Sequence, residues 1–296
     1  APLAFTLSAA SDEADHTLDA RLDVTGLGSE ASVALQTPFT LGQLMAKPPS
    51  VDEVMRAQVR VEGTVTEVPF LLLAQAAMAP QARTAQEARE RLKAGGSVST
   101  RFALSGSVLV PEVKVDVQAR GITFRELPPL DGQLSLVGGA ENLRAELKAH
   151  RREGEGTTPL VELSALLDAP LGALQDRDVI GWVPFELEGR LHPTHLNELM
   201  ALAQADPALR QRGLQGILSL ELAARGTPAA PQVNLIAGLQ NLGVGKLALG
   251  QAHARYHYTD ARSELDALTT PPAGGTLSVR AGVALDYAEL LRFVQA

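Results

Sequence analysis

Alternation of apolar and polar residues with a period of two is the feature that most constrains the fold of this chain. Val113, Val115 and Val117 alternate with charged and amide residues, and the segments Thr17–Val24 and Phe185–Leu191 follow the same pattern. Successive side chains of a strand point to opposite faces, so the pattern predicts strands with one apolar and one polar face. Such strands are typical of antiparallel sheets with one face in water, whereas parallel α/β sheets show continuous apolar runs.

The amino-acid composition limits the classes of function that the chain can have. Hydrophobic residues make up 45% of the 296 residues but aromatic residues only 4%, so the apolar faces consist mainly of Leu, Val and Ala. The formal net charge of −8 argues against binding to nucleic acid or to an anionic membrane surface. The chain has no cysteine, which excludes thiol catalysis, disulfides and cysteine-based zinc sites.

A few helices are predicted between the strands. Capping boxes at Ser50 and Thr84 predict helices that run to about Met55 and about Lys93. A longer amphipathic helix is predicted from near Thr194 towards Arg212, with Pro207 breaking or restarting it, and the last helix near Asp286.

The chain also contains an internal repeat. The segment Gly95–Val113 aligns without gaps with Gln215–Val233. In this alignment Gly106 and Pro111, which are five residues apart, match Gly226 and Pro231, which lie 120 positions later. Weaker similarities extend the repeat to two units, at about residues 37–160 and 169–291. Repeated units bury their ends on their neighbours. We therefore expect one continuous repetitive segment over residues 1–296, cut from a longer protein.

No catalytic, cofactor or metal site is predicted. His192, His195 and Glu198 superficially resemble metal ligands, but Pro193 and the change from strand to helix leave their geometry undefined. Two histidines four apart on a strand, such as His253 and His257, are ~13 Å apart, too far to share a metal. Phosphate-binding, nucleophile-elbow and zinc-protease motifs are absent from the sequence. The chain is predicted not to be an enzyme.

The second repeat carries a family resemblance. Gly226–Leu268 resembles a repeat of the TamB-like and AsmA-like family of translocation and assembly module proteins, with a glycine–threonine start, a proline, an alternating strand, a glycine-rich turn and a further strand. The resemblance is clear over Gly213–Leu291 and weaker over Val33–Leu174. The matching positions are Gly226, Thr227, Pro231, Gly243, Gly245, Leu247, Leu249, Gly250, Gly274, Gly275 and Leu277.

The resemblance implies a mainly β fold: an elongated, curled antiparallel sheet that forms an open groove, with a few short interrupting helices. It implies a periplasmic segment of a bridge protein, anchored to the inner membrane by a region outside this chain. The implied partners are phospholipid, moved between the inner and outer membranes, and a TamA-like outer-membrane assembly protein at the full-length C-terminus. Membrane contact is then expected only outside this segment.

The apolar positions of the alternating strands are the candidate groove lining. They are Leu18, Leu22, Val59, Val61, Val113, Val115, Val117, Leu143, Leu147, Phe185, Leu187, Val233, Leu235, Leu247, Leu249, Leu277 and Val279. Two alternatives remain open on the sequence: a chaperone-like scaffold for outer-membrane protein assembly, and a closed β-repeat stalk with a structural role. Alternation alone is the same for a groove and for the core of a sandwich.

Overall fold

The chain is built almost entirely from strands. The structure, a computed structural model, describes residues 4–12, 17–26, 29–47, 49–71, 94–107, 109–124, 128–154, 156–175, 177–202, 213–259 and 261–284. The strands are β1 (Ala4–Asp12), β2 (Thr17–Gly26), β3 (Ser29–Thr37), β4 (Arg60–Pro69), β5 (Ala94–Gly106), β6 (Pro111–Phe124), β7 (Leu130–Gly138), β8 (Leu143–Glu153), β9 (Gly156–Leu167), β10 (Phe185–His195), β11 (Leu214–Thr227), β12 (Ala230–Val244), β13 (Leu247–Thr259), β14 (Arg262–Thr270) and β15 (Leu277–Ala284).

Short helices interrupt the strands. They are α1 (Leu41–Ala46), α2 (Val51–Arg56), a 3-10 helix (Leu171–Gln175), α3 (Arg177–Ile180) and α4 (Leu196–Leu202). The predicted capping box of α2 is confirmed, because Ser50 accepts from the Glu53 amide while the Glu53 carboxylate accepts from the Ser50 amide. Thr40 and Gln43 form a second capping box, at α1.

The helix predicted from near Thr194 begins two residues later. A β-bulge between Leu191 and Thr194 extends β10 to His195, and the Thr194 hydroxyl donates to the His192 carbonyl instead of capping the helix. Its continuation beyond Leu202, and the helices predicted at Thr84–Lys93 and near Asp286, lie outside the described residues.

All described strands belong to one antiparallel sheet, and their order in the sheet is their order in the sequence. The predicted fold class is therefore confirmed: the chain is mainly β, and in the part that the structure describes the antiparallel sheet is interrupted by short helices. Among the described residues β1 pairs with β2 and β15 pairs with β14. The chain divides into two compact units: unit 1 comprises residues 1–146, 152–155 and 169–175, and unit 2 comprises residues 147–151, 156–168 and 176–296.

The glycine–proline phrase of the repeat forms the same joint in each unit. In unit 1, β5 ends at Gly106 and pairs there with Pro111, the first residue of β6. In unit 2, Gly226 pairs with Pro231 in the same way. Both glycines have a positive φ, +92° and +111°, and a Cβ at either would lie 2.5–2.6 Å from a carbonyl oxygen of the turn, so glycine is required.

In each unit three described strand pairs also have an irregular register, from one or more β-bulges, at the strand ends away from this joint. In unit 1 they lie between β4 and β5, β5 and β6, and β6 and β7. In unit 2 they lie between β10 and β11, β11 and β12, and β12 and β13. Bulges bend strands and increase their twist, so the sheet of each unit bends along this row.

Candidate functional site

One face of the sheet in unit 1 is apolar. Because paired residues of antiparallel strands lie on the same face, the register can be followed across the strands. The central row is Leu7, Leu22, Val33, Gly63, Phe102, Val115 and Leu136, one residue from each strand from β1 to β7. We call this face, with its counterpart in unit 2, the apolar face.

Unit 2 repeats the arrangement. Its central row is Leu163, Gly189, Leu222, Leu235, Tyr256, Leu265 and Ala281, one residue from each strand from β9 to β15. The two rows agree at their unusual position: Gly63 lies opposite Phe102, and Gly189 lies opposite Leu222. The sequence of each unit therefore produces one apolar face with a glycine at the same place.

The glycines let large side chains lie flat along the sheet. A Cβ at Gly63 would overlap the ring of Phe102, and a Cβ at Gly189 would lie 3.2 Å from Cδ1 of Leu163. The space above each glycine is thus used by a neighbour on the next strand. Neighbouring side chains of the face therefore pack closely against one another, although no second sheet of the described residues covers them.

The apolar face remains partly in contact with solvent. Leu104 and Leu134 in unit 1 are 40% and 39% exposed, and Leu265 and Val279 in unit 2 are 37% and 50% exposed. A β-sandwich buries such side chains against a second sheet. In the described part of the chain every strand belongs to the same sheet, so no second sheet covers them.

One row of unit 2 is better covered than the rest. Ala224 pairs with Val233, which pairs with Tyr258, and Ala224 and Tyr258 are 8% and 5% exposed. Tyr256 and Tyr258 are the aromatic residues of β13 on the apolar face, opposite in direction to His253 and His257.

The opposite face is polar, and its groups are paired with one another. The Ser32 and Thr64 hydroxyls are 2.9 Å apart, and the Ser135 hydroxyl donates to Asp116 at 3.0 Å. In unit 2 the Arg190 guanidinium lies 3.2 Å from the Glu221 carboxylate. These are ordinary cross-strand contacts of a solvated face, each of which contributes little to stability.

Asp131 makes the best-defined polar contacts of unit 1. Its carboxylate accepts from the Gly121 amide at 2.7 Å, where β6 bulges, and from both Nη2 and Nε of Arg152 on β8. Partial burial raises the pKa of this carboxyl group, but the hydrogen bond from Gly121 and the bonds and charge of Arg152 outweigh it, so the pKa lies below its usual value.

In unit 2 an ion pair fixes α4. Arg151 on β8 lies 2.8 Å from Glu198 on α4, and the two side chains are 15% and 26% exposed. Glu198 is therefore engaged with arginine, and His192 lies 3.6 Å from Glu162 instead. Among the described residues no group of three or more His, Cys, Asp or Glu side chains could hold a metal ion.

Most of the predicted lining residues lie on the apolar face. By register, those of unit 1 are Leu18, Leu22, Val61, Val113, Val115 and Val117, and those of unit 2 are Phe185, Leu187, Val233, Leu235, Leu277 and Val279. Val59 precedes β4, and its amide donates to the Gly106 carbonyl. Leu143 lies against Gly138, the partner of Val113, and Leu147 follows on β8 in the same alternation.

The register does not bring Leu247 and Leu249 into these rows. Leu247 pairs with Val244, beyond two irregularities of the β12–β13 ladder, and Gly250 with φ +85° interrupts the alternation of β13. Sequence reasoning also missed members of the apolar face: Val33, Leu35, Phe102, Leu104, Leu136, Leu163, Leu222, Tyr256 and Leu265. The same alternation could have found most of them; on β5, however, Thr100 interrupts the apolar series.

Comparison with models of protein families, with curated proteins and with solved structures finds no match for this chain. Among the described residues no helix combines the length and the apolar character that crossing a bilayer requires.

Proposed function

We propose that the chain binds lipid acyl chains along its apolar face and shields them from water. The observation that carries the proposal is the exposure of this face in both units. Large apolar side chains follow one another across the strands, yet no second sheet of the described residues covers them. Contiguous exposed apolar surface is a feature of binding sites.

The chemistry of the face favours acyl chains over a shaped ligand. Its residues are mainly Val, Leu and Ala, and its central rows carry no charged side chain. Each buried methylene contributes about 0.8 kcal/mol without any directional polar contact. A flexible hydrocarbon chain gains this energy at any position along the face, whereas a charged ligand finds no ionic partner in the central rows.

The biological setting of the proposal comes from the family resemblance of the second repeat. TamB-like and AsmA-like proteins suggest phospholipid as the cargo, the periplasm as the compartment and transport between the inner and outer membranes as the role. In this setting the chain is a binding segment and not an enzyme. A TamA-like outer-membrane protein is the proposed partner of the full-length protein.

A second candidate function, a chaperone-like scaffold for outer-membrane protein assembly, rests on the exposed apolar side chains of β1 and β15. Leu7 and Val283 lie on the apolar face of these strands and are 75% and 60% exposed. Extended polypeptide segments with apolar side chains bind surfaces of this kind. A scaffold that holds outer-membrane protein segments would use the apolar face itself.

Site-specific photocrosslinking separates the two functions. A photoreactive residue at Val115 or Leu235 should form adducts with phospholipid in cells. The matched controls are Lys114 and Gln232, which lie on the same strands, β6 and β12, but on the polar face. Adducts with outer-membrane protein chains at Val115 and Leu235 would favour the scaffold.

Lipid bound to the purified protein gives an independent test. Gentle purification from membranes should retain phospholipid, which native mass spectrometry detects. If amide hydrogen exchange shows β6 and β12 protected while no lipid is retained and no crosslink forms, lipid binding by this face is wrong.

A further inference from the structure

Exposed apolar side chains also lie at one end of the strands, away from the apolar face. In unit 2 Trp182 is 73% exposed, and Val179 and Ile180 are 40% and 38% exposed. The Ala229 amide, in the turn of the glycine–proline joint, donates to the Gly181 carbonyl at 3.0 Å. The three side chains therefore lie at the joint end of the unit.

Unit 1 has exposed apolar side chains at the end of its strands that carries its own glycine–proline joint. Met45 on α1 and Val51 and Val54 on α2 are 80%, 81% and 40% exposed. Leu109 and Val110, in the turn of the joint itself, are 54% and 51% exposed. We call these five residues the apolar rim of unit 1, and Val179, Ile180 and Trp182 the apolar rim of unit 2.

Trp182 is held in its exposed position by the fold. Its amide donates to the Val179 carbonyl, and the next residue, Val183, donates to Ile180 and is only 4% exposed. The Asp168 amide donates to the carbonyl of Pro184 at 2.9 Å. Val183 thus anchors the turn, while the indole of Trp182 is directed towards solvent.

The two units keep the apolar character of the rim but not its side chains. The rim of unit 1 consists of methionine, leucine and valines, whereas that of unit 2 consists of valine, isoleucine and tryptophan. A protein partner that recognises shape would need similar side chains at similar places. A neighbour without fixed shape, such as the hydrocarbon boundary of a bilayer, needs only apolar surface.

We propose that the apolar rim of each unit inserts into the interfacial layer of a zwitterionic lipid bilayer. Tryptophan is enriched at this layer because its ring is apolar and its N–H is polar. Asp52 and Glu53 on α2 and the net charge of −8 disfavour an anionic surface. The segment then contacts membrane itself, in addition to the anchor expected outside it, whether or not the apolar face holds acyl chains.

Trp182 is the only tryptophan of the chain, so intrinsic fluorescence reports on the rim directly. Titration with phosphatidylcholine vesicles should shift its emission to the blue, and phosphatidylcholine with brominated acyl chains should quench it. The double variant Val179→Ser/Ile180→Ser should weaken vesicle binding about tenfold, because it removes apolar area from the rim. Val137→Ser, an exposed apolar position on the polar face and outside the rim, should leave binding unchanged.

Three results would overturn the proposal. The first is an emission spectrum of Trp182 that vesicles do not change. The second is a blue shift that depends on protein concentration without lipid, which would indicate self-association. The third is binding only to vesicles that contain phosphatidylglycerol, which would indicate electrostatic attraction.

Lipid binding by the apolar face and vesicle binding by the rim can be tested independently. Val115→Asp, which acts on the face, should lower lipid retention in native mass spectrometry but leave the vesicle titration of Trp182 unchanged. Loss of vesicle binding in this variant, with β6 still protected from amide exchange, would count against a separate rim site.

Discussion

The two faces of β6 differ in whether their side chains find interaction partners within the sheet. On one face Lys114 and Asp116 are 3.8 Å apart and Asp116 accepts from Ser135, so the polar groups find partners within the sheet and in water. On the other face Val115 lies between Phe102 and Leu136, and the described strands form no second sheet that could cover them. The polar groups of one face are already satisfied by each other and by water. The apolar side chains of the other face would be stabilised further by a ligand or partner that removes them from water.

The largest effect is expected from a charge on the apolar face. Val115→Asp or Leu235→Asp should reduce lipid retention at least about tenfold, because a carboxylate loses its hydration under acyl chains. Lys114→Asp, on the neighbouring position of the polar face, should leave retention within twofold. Native mass spectrometry of the bound lipid measures both.

The stability of the same variants decides between a lipid-binding face and a protein core. A carboxylate in a closed core costs several kcal/mol, whereas on a partly solvated face we expect about 1 kcal/mol. If Val115→Asp unfolds the protein while Lys114→Asp does not, the face is a core and the comparison between the faces fails.

An effect on stability, and not the effect of a charge against lipid, is expected from the glycine in the central row. Gly63→Ala should destabilise unit 1 by about 1–2 kcal/mol, because the new Cβ overlaps the Phe102 ring and forces it to move. Phe102→Leu in the same chain should recover most of the loss. Local amide exchange in β4 and β5 measures both variants.

The neighbouring position on the polar face provides the control for Gly63. Glu62 faces solvent, so Glu62→Ala should change protection by no more than about 0.5 kcal/mol. Equal losses at Glu62 and Gly63, or no recovery by Phe102→Leu, would contradict close lateral packing on the apolar face.

Acyl-chain length tests the energy available on the apolar face. Each added methylene should tighten binding of a lysophospholipid about fourfold, which corresponds to about 0.8 kcal/mol. The increment should disappear in Val115→Asp and persist in Lys114→Asp. An affinity that depends on the headgroup but not on chain length would contradict binding by the apolar face.

The sequence predicted strands well where alternation is unbroken. β2, β6 and β10 follow the period of two, and the glycine–proline phrase correctly marks the end of β5 and the start of β6. The missed Phe102 shows the limit of the pattern: Thr100 is polar although its register partners, Val65 and Val117, are apolar.

Register and exposure could not be predicted from the pattern. A bulge depends on backbone conformation, as at Gly216 with φ +141°, and the bulge in β10 displaced the predicted helix start from Thr194 to Leu196. Exposure depends on what lies above a face, and alternation is the same in either case. The candidate lining was therefore predictable as a series of apolar residues on one face, but only the structure shows that these residues are partly exposed to solvent.

The smallest effect is expected from the best-connected carboxylate of the polar face. Asp131 and Arg152 are 23% and 44% exposed, so solvent screens their interaction and Asp131→Asn should cost only about 0.5 kcal/mol at neutral pH. The bonds from Gly121 and Arg152 hold the folded pKa below its usual value, so the contribution is complete above the unfolded pKa of about 3.9 and is lost as the pH falls through the folded pKa. Amide exchange at Gly121, compared between the wild-type chain and Asp131→Asn, should show a constant difference from pH 8 to pH 5 that narrows below about pH 4. A difference that instead grows on acidification would mean that the carboxyl group is stabilised in its protonated form, and a loss as large as that of Val115→Asp would remove the contrast between the faces.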